Sequence, residues 1–342
     1  MQTLLNENIK EVHSISFKNK PVANCAWVLN RYCNYACSYC WPHAHTNKKD
    51  FLTEDQYLIA VDKIINEFYK NNFKIINWGM MGGEVTFNPH YLTILDEIQS
   101  YVTEENRMAT NLVSNLSHLP KWWEKFIKST EKFSKVKVNG SLHLEYVDND
   151  NKLDMFREKL SLLNSNNIEA VANFVMLPGR MDYSKKLIDF FNKKNIFVLI
   201  KGCRANNEFV EGYTNEELEF LTASSGYQNT SRSNQKVMSA VEFDGTEHWF
   251  TSVEELISDN GMSYEGFYCT AGMQGIVIYE NGDVARGRVC KNEKLGNIKT
   301  GFTLFNEVKK CITKKKCHCA GDVKMPKWRD DGNNMLEMGR QI

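Results

Sequence analysis

Cys33, Cys37 and Cys40 lie in the run Arg-Tyr-Cys-Asn-Tyr-Ala-Cys-Ser-Tyr-Cys-Trp-Pro, directly after an apolar segment, Val22 to Leu29, that reads as a strand. Three thiolates at this spacing suit a metal centre that wants four ligands. On a four-iron cluster they would hold three irons and leave the fourth open, where chemistry can happen. Zinc is the alternative, with His43 completing a Cys3His set. A disulfide framework fits poorly. Met1 to Lys20 is polar and mixed in charge, without a secretory apolar region, so the ten cysteines are expected to stay reduced and to act as ligands.

A second motif, Gly82-Gly83-Glu84, follows the next strand candidate, and a zinc knuckle has no use for it. Together with the Cys-x3-Cys-x2-Cys spacing, it makes the sequence resemble the radical S-adenosylmethionine (SAM) enzymes. The resemblance implies a [4Fe-4S] cluster on Cys33, Cys37 and Cys40, with SAM chelating the open iron through its amino and carboxylate groups. Reductive cleavage of SAM would then give a 5′-deoxyadenosyl radical that takes a hydrogen atom from a substrate, the hard chemistry being the cofactor's. Gly82 and Gly83 permit a tight turn and close backbone approach, and the resemblance places SAM's ammonium against this strand edge and Glu84. Val85 stands where proline is common in the family.

The resemblance also sets Tyr39 against the adenine and brings Asn115 and Ser141 to the ribose or the methionine carboxylate. Both are equally readable as solvated turn residues. His143 and Glu145, further along the same strand end, are expected to face substrate, with a structural role as the alternative for His143. Cys203 and Arg204 are the candidate catalytic pair. A cavity-facing thiol can donate a hydrogen atom to a substrate radical, as in some peptide epimerases of the family, and a guanidinium can clamp a carboxylate or phosphate. The other reading of Cys203 is a small buried apolar residue, as it is for Cys25 inside the first strand.

Five more cysteines follow near the C-terminal end: Cys269, Cys290, Cys311, Cys317 and Cys319. Glu280-Asn-Gly-Asp283 is a hairpin signal that brings Cys269 and Cys290 into one neighbourhood. This pattern resembles the twitch extension of radical SAM enzymes, a shortened relative of the SPASM domain, and implies an auxiliary [4Fe-4S] cluster. Five cysteines compete for four places, and zinc on four cysteines is the alternative. The lysines around Cys311 favour thiolates.

The elements that must position these groups alternate. Strand candidates are Cys25 to Leu29, Ile75 to Met80, Met108 to Val113, Val136 to Leu142, Ala170 to Leu177 and Ile196 to Ile200. Helical patterns lie between them: Glu54 to Lys70, His90 to Val102, Pro120 to Ser129, Lys152 to Asn164 and Tyr183 to Lys193. Strands alternating with long helices imply parallel βα units, here an α/β fold with a partial (β/α)6 TIM barrel and a small C-terminal hairpin-containing domain. In such barrels reactive groups gather at the carboxyl ends of strands, and the motifs follow that rule. The expected organisation is an N-terminal lead (1–21), the barrel (22–205), a connecting helix and linker (206–260), and the auxiliary-cluster domain with a tail (261–342).

The 42 basic and 42 acidic residues cancel, so no whole-chain field draws the protein to nucleic acid or an anionic membrane. With no apolar stretch near 20 residues, the chain reads as soluble and cytoplasmic. The expected partners are a peptide or small-molecule substrate and an external one-electron donor such as flavodoxin or ferredoxin. The lead is too short for a fused leader-peptide recognition domain. A non-enzymatic iron–sulfur or zinc protein is the rival reading.

Overall fold

The computed structural model describes residues 12–17, 22–40, 46–205, 208–224, 238–242, 247–250, 263–317 and 319–329. His43, the proposed zinc ligand, lies outside the described residues, as do much of the expected linker and the C-terminal tail.

Strand β1 is Val12–Phe17 and β2 is Ala23–Asn30. They are followed by β3 (Ile75–Gly82), β4 (Arg107–Ser114), β5 (Lys135–Leu142), β6 (Glu169–Met176) and β7 (Val198–Gly202). Strands β2 to β7 stand side by side in chain order as the six-stranded parallel sheet of a partial barrel. Parallel neighbours need crossovers. These are α1 (Glu54–Lys70), α2 (Tyr91–Ser100), α3 (Pro120–Ser129), α4 (Asp150–Ser165) and α5 (Met181–Asn192), within two residues of the helical patterns in the sequence.

Local chemistry sets the helix ends. Thr53 Oγ1 accepts from Gln56 N at 3.3 Å while Gln56 Oε1 accepts from Thr53 N at 3.1 Å, a reciprocal capping box at the start of α1. The stripe Val61, Ile64, Ile65 and Phe68 is then fully buried. Pro120 opens α3, where its missing N–H costs nothing, and Asn149 caps α4 by accepting from Lys152 N at 3.0 Å.

The two faces of the sheet differ in chemistry. On β4 to β6, Met108, Leu112, Val138, Leu142, Ala172 and Phe174 are buried on the helix side. A Cβ on Gly140 would meet Leu160 and Phe156 of α4 at 3.1 Å, so that face lies hard against the helix. By the two-residue period of a strand, Asn111, Val113, Asn139, Ser141 and Asn173 project to the other, inner face. Across it, Val113 is level with Asn139, and Ser141 with Asn173.

The chain forms two compact units, Val28–Leu58 with Trp78–Asn229, and Met1–Trp27 with Ile59–Asn77 and Thr230–Ile342. The former carries most of the barrel, the two-stranded ribbon β8 (Arg204–Ala205) and β9 (Glu208–Phe209), and α6 (Asn215–Ser224).

The other unit carries β10 (Met238–Glu242), β11 (Glu247–Phe250), β12 (Tyr268–Cys269), β13 (Gly275–Ile278), β14 (Asp283–Ala285), β15 (Lys294–Asn297), β16 (Gly301–Phe302), β17 (Lys309–Lys310) and β18 (Lys327–Trp328). β13 and β14 form the expected Asn-Gly hairpin, and β13 also pairs in parallel with Asn24–Trp27 of β2. A six-stranded sheet runs β11-β10-β1-β18-β12-β17. The segments expected to be a lead (1–21) and a connecting helix and linker (206–260) thus also supply β1, β10 and β11 to the sheet that contains Cys269. Strands this short owe their state to their partners more than to their own propensity.

Candidate functional site

The loop after β2 gathers Cys33, Cys37 and Cys40 within electrostatic reach of one another. A turn after β5 clamps this loop. Glu145 Oε2 accepts from Ser38 N at 2.9 Å and Oε1 accepts from the Ser38 hydroxyl. Tyr146 Oη accepts from Ala36 N at 2.6 Å, and His143 Nδ1 lies 3.3 Å from Cys37 Sγ and 2.9 Å from Tyr39 Oη. Tyr39 also stacks on the His143 imidazole, with centroids 5.9 Å apart. His143 thus has the structural role that is its alternative reading, and Glu145 holds the same loop. Burial, with Glu145 next in weight, pushes the Cys37 thiol up to about 12, and burial also raises Cys33. Such thiols ionise when a metal takes the proton's place.

Gly82 and Gly83 bring the second motif against this loop. A Cβ on Gly82 would stand 1.8 Å from Asn30 O, and one on Gly83 2.3 Å from Tyr32 O. Gly83 N donates to Asn30 O at 3.0 Å and Glu84 N to Tyr32 O at 2.8 Å. The close approach that demands glycine is therefore to the chain leading into the cysteines. Glu84 is 2% exposed. Its Oε1 accepts from Thr86 Oγ1 at 2.6 Å and its Oε2 from Asn115 N at 2.6 Å. Burial pushes its pKa up against these hydrogen bonds. Asn115 Nδ2 donates in turn to Asn34 Oδ1 at 2.9 Å, so Asn115 ties Glu84 to the cysteine loop.

Ser141 is half-buried at the end of β5 on the inner face. Beside it the sequence reading missed a set of amides. Asn139 Nδ2 donates to Asn111 Oδ1 at 2.6 Å, while Asn173 Oδ1 is buried with no hydrogen-bond partner among the described residues. Cys203 is 8% exposed, and its N donates to Tyr213 Oη at 2.8 Å. Its thiol lies within electrostatic reach of Tyr39. Arg204 packs over the Phe209 ring, 4.1 Å from its centroid.

The pattern of the radical SAM superfamily matches residues 27–191. The chain belongs to the radical SAM superfamily. Among solved structures it is similar to native anSMEcpe with bound AdoMet, at TM-score 0.53 and 18% identity over 82% of this chain and 79% of that one. It is likewise similar to native anSMEcpe with bound AdoMet and Cp18Cys peptide, at TM-score 0.51 and 16% identity over 82% and 79%. Likeness at such identities speaks for the fold. No curated protein matches the sequence. Among the described residues no helix is long and apolar enough to cross a membrane.

The C-terminal unit of this radical SAM enzyme collects its own cysteines. Cys269, Cys311 and Cys317 are buried and Cys290 is half-buried. Cys290 and Cys311 are close enough that sharing a proton lowers Cys311 and raises Cys290. Burial pushes Cys317 up to about 12 against the charge of Lys327, and Cys317 feels both Cys269 and Cys311. Cys319 is raised by burial and then by Asp322. Among the described residues no three His, Cys, Asp or Glu side chains converge as they would around a single metal ion. A four-iron cluster gives each thiolate its own iron and so holds its ligands farther apart than one zinc does.

Proposed function

We propose that this enzyme binds SAM on a [4Fe-4S] cluster held by Cys33, Cys37 and Cys40, abstracts a hydrogen atom from a peptide or small-molecule substrate, and carries an auxiliary [4Fe-4S] cluster in its C-terminal module. The clamped cysteine loop carries the reading: three thiols at the end of β2, fixed by Glu145, Tyr146 and His143, with no protein group needed as a fourth ligand. When bound, the cluster and SAM supply one-electron cleavage of SAM and a hydrogen-abstracting deoxyadenosyl radical. Tyr39, fixed on His143, offers a ring face for the adenine. Glu84, oriented by Thr86, Asn115 and Ser114 beside the Gly82-Gly83 edge, is the negative charge proposed to face SAM's ammonium. Asn115 and Ser141 present polar groups for the ribose and carboxylate.

The inner-face amides Asn111, Asn139 and Asn173 suit a substrate rich in hydrogen-bonding groups, as a peptide backbone is, and the similar anSMEcpe structure contains a bound peptide. An external flavodoxin or ferredoxin supplies the electron. Cys269, Cys290, Cys311 and Cys317 are the proposed auxiliary ligands, because Cys317 is neighbour to Cys269 and Cys311, and Cys311 to Cys290, whereas the main charge on Cys319 is Asp322. A second reading, epimerisation with Cys203 as hydrogen-atom donor, is favoured by the nearness of that thiol to Tyr39.

Anaerobic reconstitution with iron and sulfide tests the proposal. Brown protein with about eight irons per chain, which when reduced cleaves SAM to 5′-deoxyadenosine, is expected. Colourless protein that holds zinc and leaves SAM intact would overturn it.

A further inference from the structure

Two cations with almost no solvent exposure, Arg286 and Lys327, each 1% exposed, stand against the C-terminal cysteines. All five N–H groups of Arg286 are used. Nε donates to Ala271 O at 2.9 Å, Nη1 to Glu293 Oε2 at 2.8 Å and Lys310 O at 3.0 Å, and Nη2 to Cys269 O at 3.3 Å and Lys309 O at 2.6 Å. The Lys327 ammonium donates to the carbonyls of Asp322, Val323 and Met325 at 3.0, 2.8 and 2.7 Å and lies 4.8 Å over the Tyr264 ring.

Hydrogen bonding is thus complete at both, but charge balance is not. Glu293 offsets Arg286 from a position 22% exposed, whereas Lys327 has no carboxylate partner among the described residues. The nearby Asp322 carboxylate accepts from Arg288 N and Val289 N at 3.1 and 2.7 Å, is the main charge acting on Cys319, and opposes Lys327 at Cys317 with the smaller effect of the two. A buried cation without an opposite charge is costly. The groups positioned to balance these two are the thiolates: Arg286 bonds the carbonyls of Cys269 and of Lys310, next to Cys311, and Lys327 stands opposite Cys269 in the pairing of β12 with β18.

We infer that Arg286 and Lys327 are the built-in counter-charges of the auxiliary cluster and raise its reduction potential. The inference rests on the auxiliary-cluster reading above. Reduction adds one negative charge to a cluster, and net charge around the sulfurs is one of the levers that set its potential. A fixed cation in a dry wall favours the reduced form more than the same charge in water would. The arrangement suits a centre that accepts an electron.

The full-length Cys33/Cys37/Cys40→Ala variant isolates the second module, and its iron content and redox titration followed by electron paramagnetic resonance are the readouts. About four irons are expected. In that background Lys327→Gln, which keeps an amide donor and drops the charge, should weaken one-electron reduction at least tenfold, a fall of about 59 mV. Glu293→Gln, which removes a negative charge at a part-exposed site, should shift the potential the opposite way. Opposite signs cannot come from general loosening of the fold, and if Lys327→Gln fails to keep its iron, the sign at Glu293→Gln decides. Four irons with an unmoved potential in both variants overturns the inference and leaves the cluster in place. Absence of iron from the parent variant overturns the auxiliary-cluster reading itself.

Discussion

Tyr146 lies flat on Tyr35, with ring centroids 3.9 Å apart and planes 2° from parallel. The pair joins the turn after β5 to the loop after β2. The Tyr146 hydroxyl adds a hydrogen bond from Ala36 N at 2.6 Å, and Glu145 grips Ser38 next to Cys37. The cysteine loop is therefore held in shape by protein contacts from a neighbouring strand end as well as by any metal it binds.

Tyr146→Phe keeps the stack and loses the hydroxyl, which should cost about 1 kcal/mol. Tyr146→Ala removes the aromatic pair as well, adding about 0.5–1.5 kcal/mol. Iron retained at the first site during dilution into a chelator should fall in the order wild type, Phe, Ala. Equal retention in all three would show that the clamp does not hold the loop.

Gly82→Ala and Gly83→Ala should each be severe, because the added Cβ would meet backbone oxygen at 1.8 and 2.3 Å, where no side chain can yield. A loss above about 4 kcal/mol is expected, from overpacking against main chain. Denaturant unfolding of the metal-free protein checks this separately from SAM chemistry. Normal stability with lost SAM binding would mean that the glycines serve only the ligand.

Much of this architecture is legible in the sequence. Alternating β-rich runs and amphipathic stretches fix the six barrel strands, and Thr53 with Gln56 marks the start of α1. What a one-dimensional pattern does not carry is direction. His143 and Glu145 sit one turn past β5, and the bonds from Tyr146 N and Val147 N to His143 O aim that turn at the cysteine loop. Glu84 reads as a rim carboxylate beside two glycines, but the bonds from Thr86 and Asn115 draw it inside. Arg286 looks like an ordinary surface cation until the distant carbonyls of Lys309 and Lys310 close around it, as Lys327 does until the turn before it folds its carbonyls onto the ammonium. Strands β1, β10 and β11 mix polar with apolar residues, lack a flanking βα pattern to announce them, and form through pairing.

Glu84→Gln should affect both stability and ligand binding. An amide NH2 in place of one oxygen faces either Asn115 N or the Thr86 donors, and that mismatch in a buried site costs about 1–3 kcal/mol. SAM affinity should fall as well, since the fixed negative charge is gone. Calorimetric SAM titration of the folded variant separates the two effects. Unchanged affinity with reduced stability would reassign Glu84 as a purely structural brace.

The ligands proposed for the auxiliary cluster can be told apart by single substitutions in the Cys33/Cys37/Cys40→Ala chain. Cys317 is 6% exposed and acts on both Cys269 and Cys311, whereas Cys319 responds to Asp322 and Arg288. Cys317→Ala should therefore lose most of the remaining iron, because a cluster short of one of its four thiolates is poorly held. Cys319→Ala should keep about four irons and an unchanged visible spectrum. Alanine at either position is small, so lost iron reports ligation more than misfolding, and circular dichroism of both variants makes that separation explicit. The reverse result, iron kept without Cys317 and lost without Cys319, would move the cluster toward Asp322 and away from the paired Cys290 and Cys311.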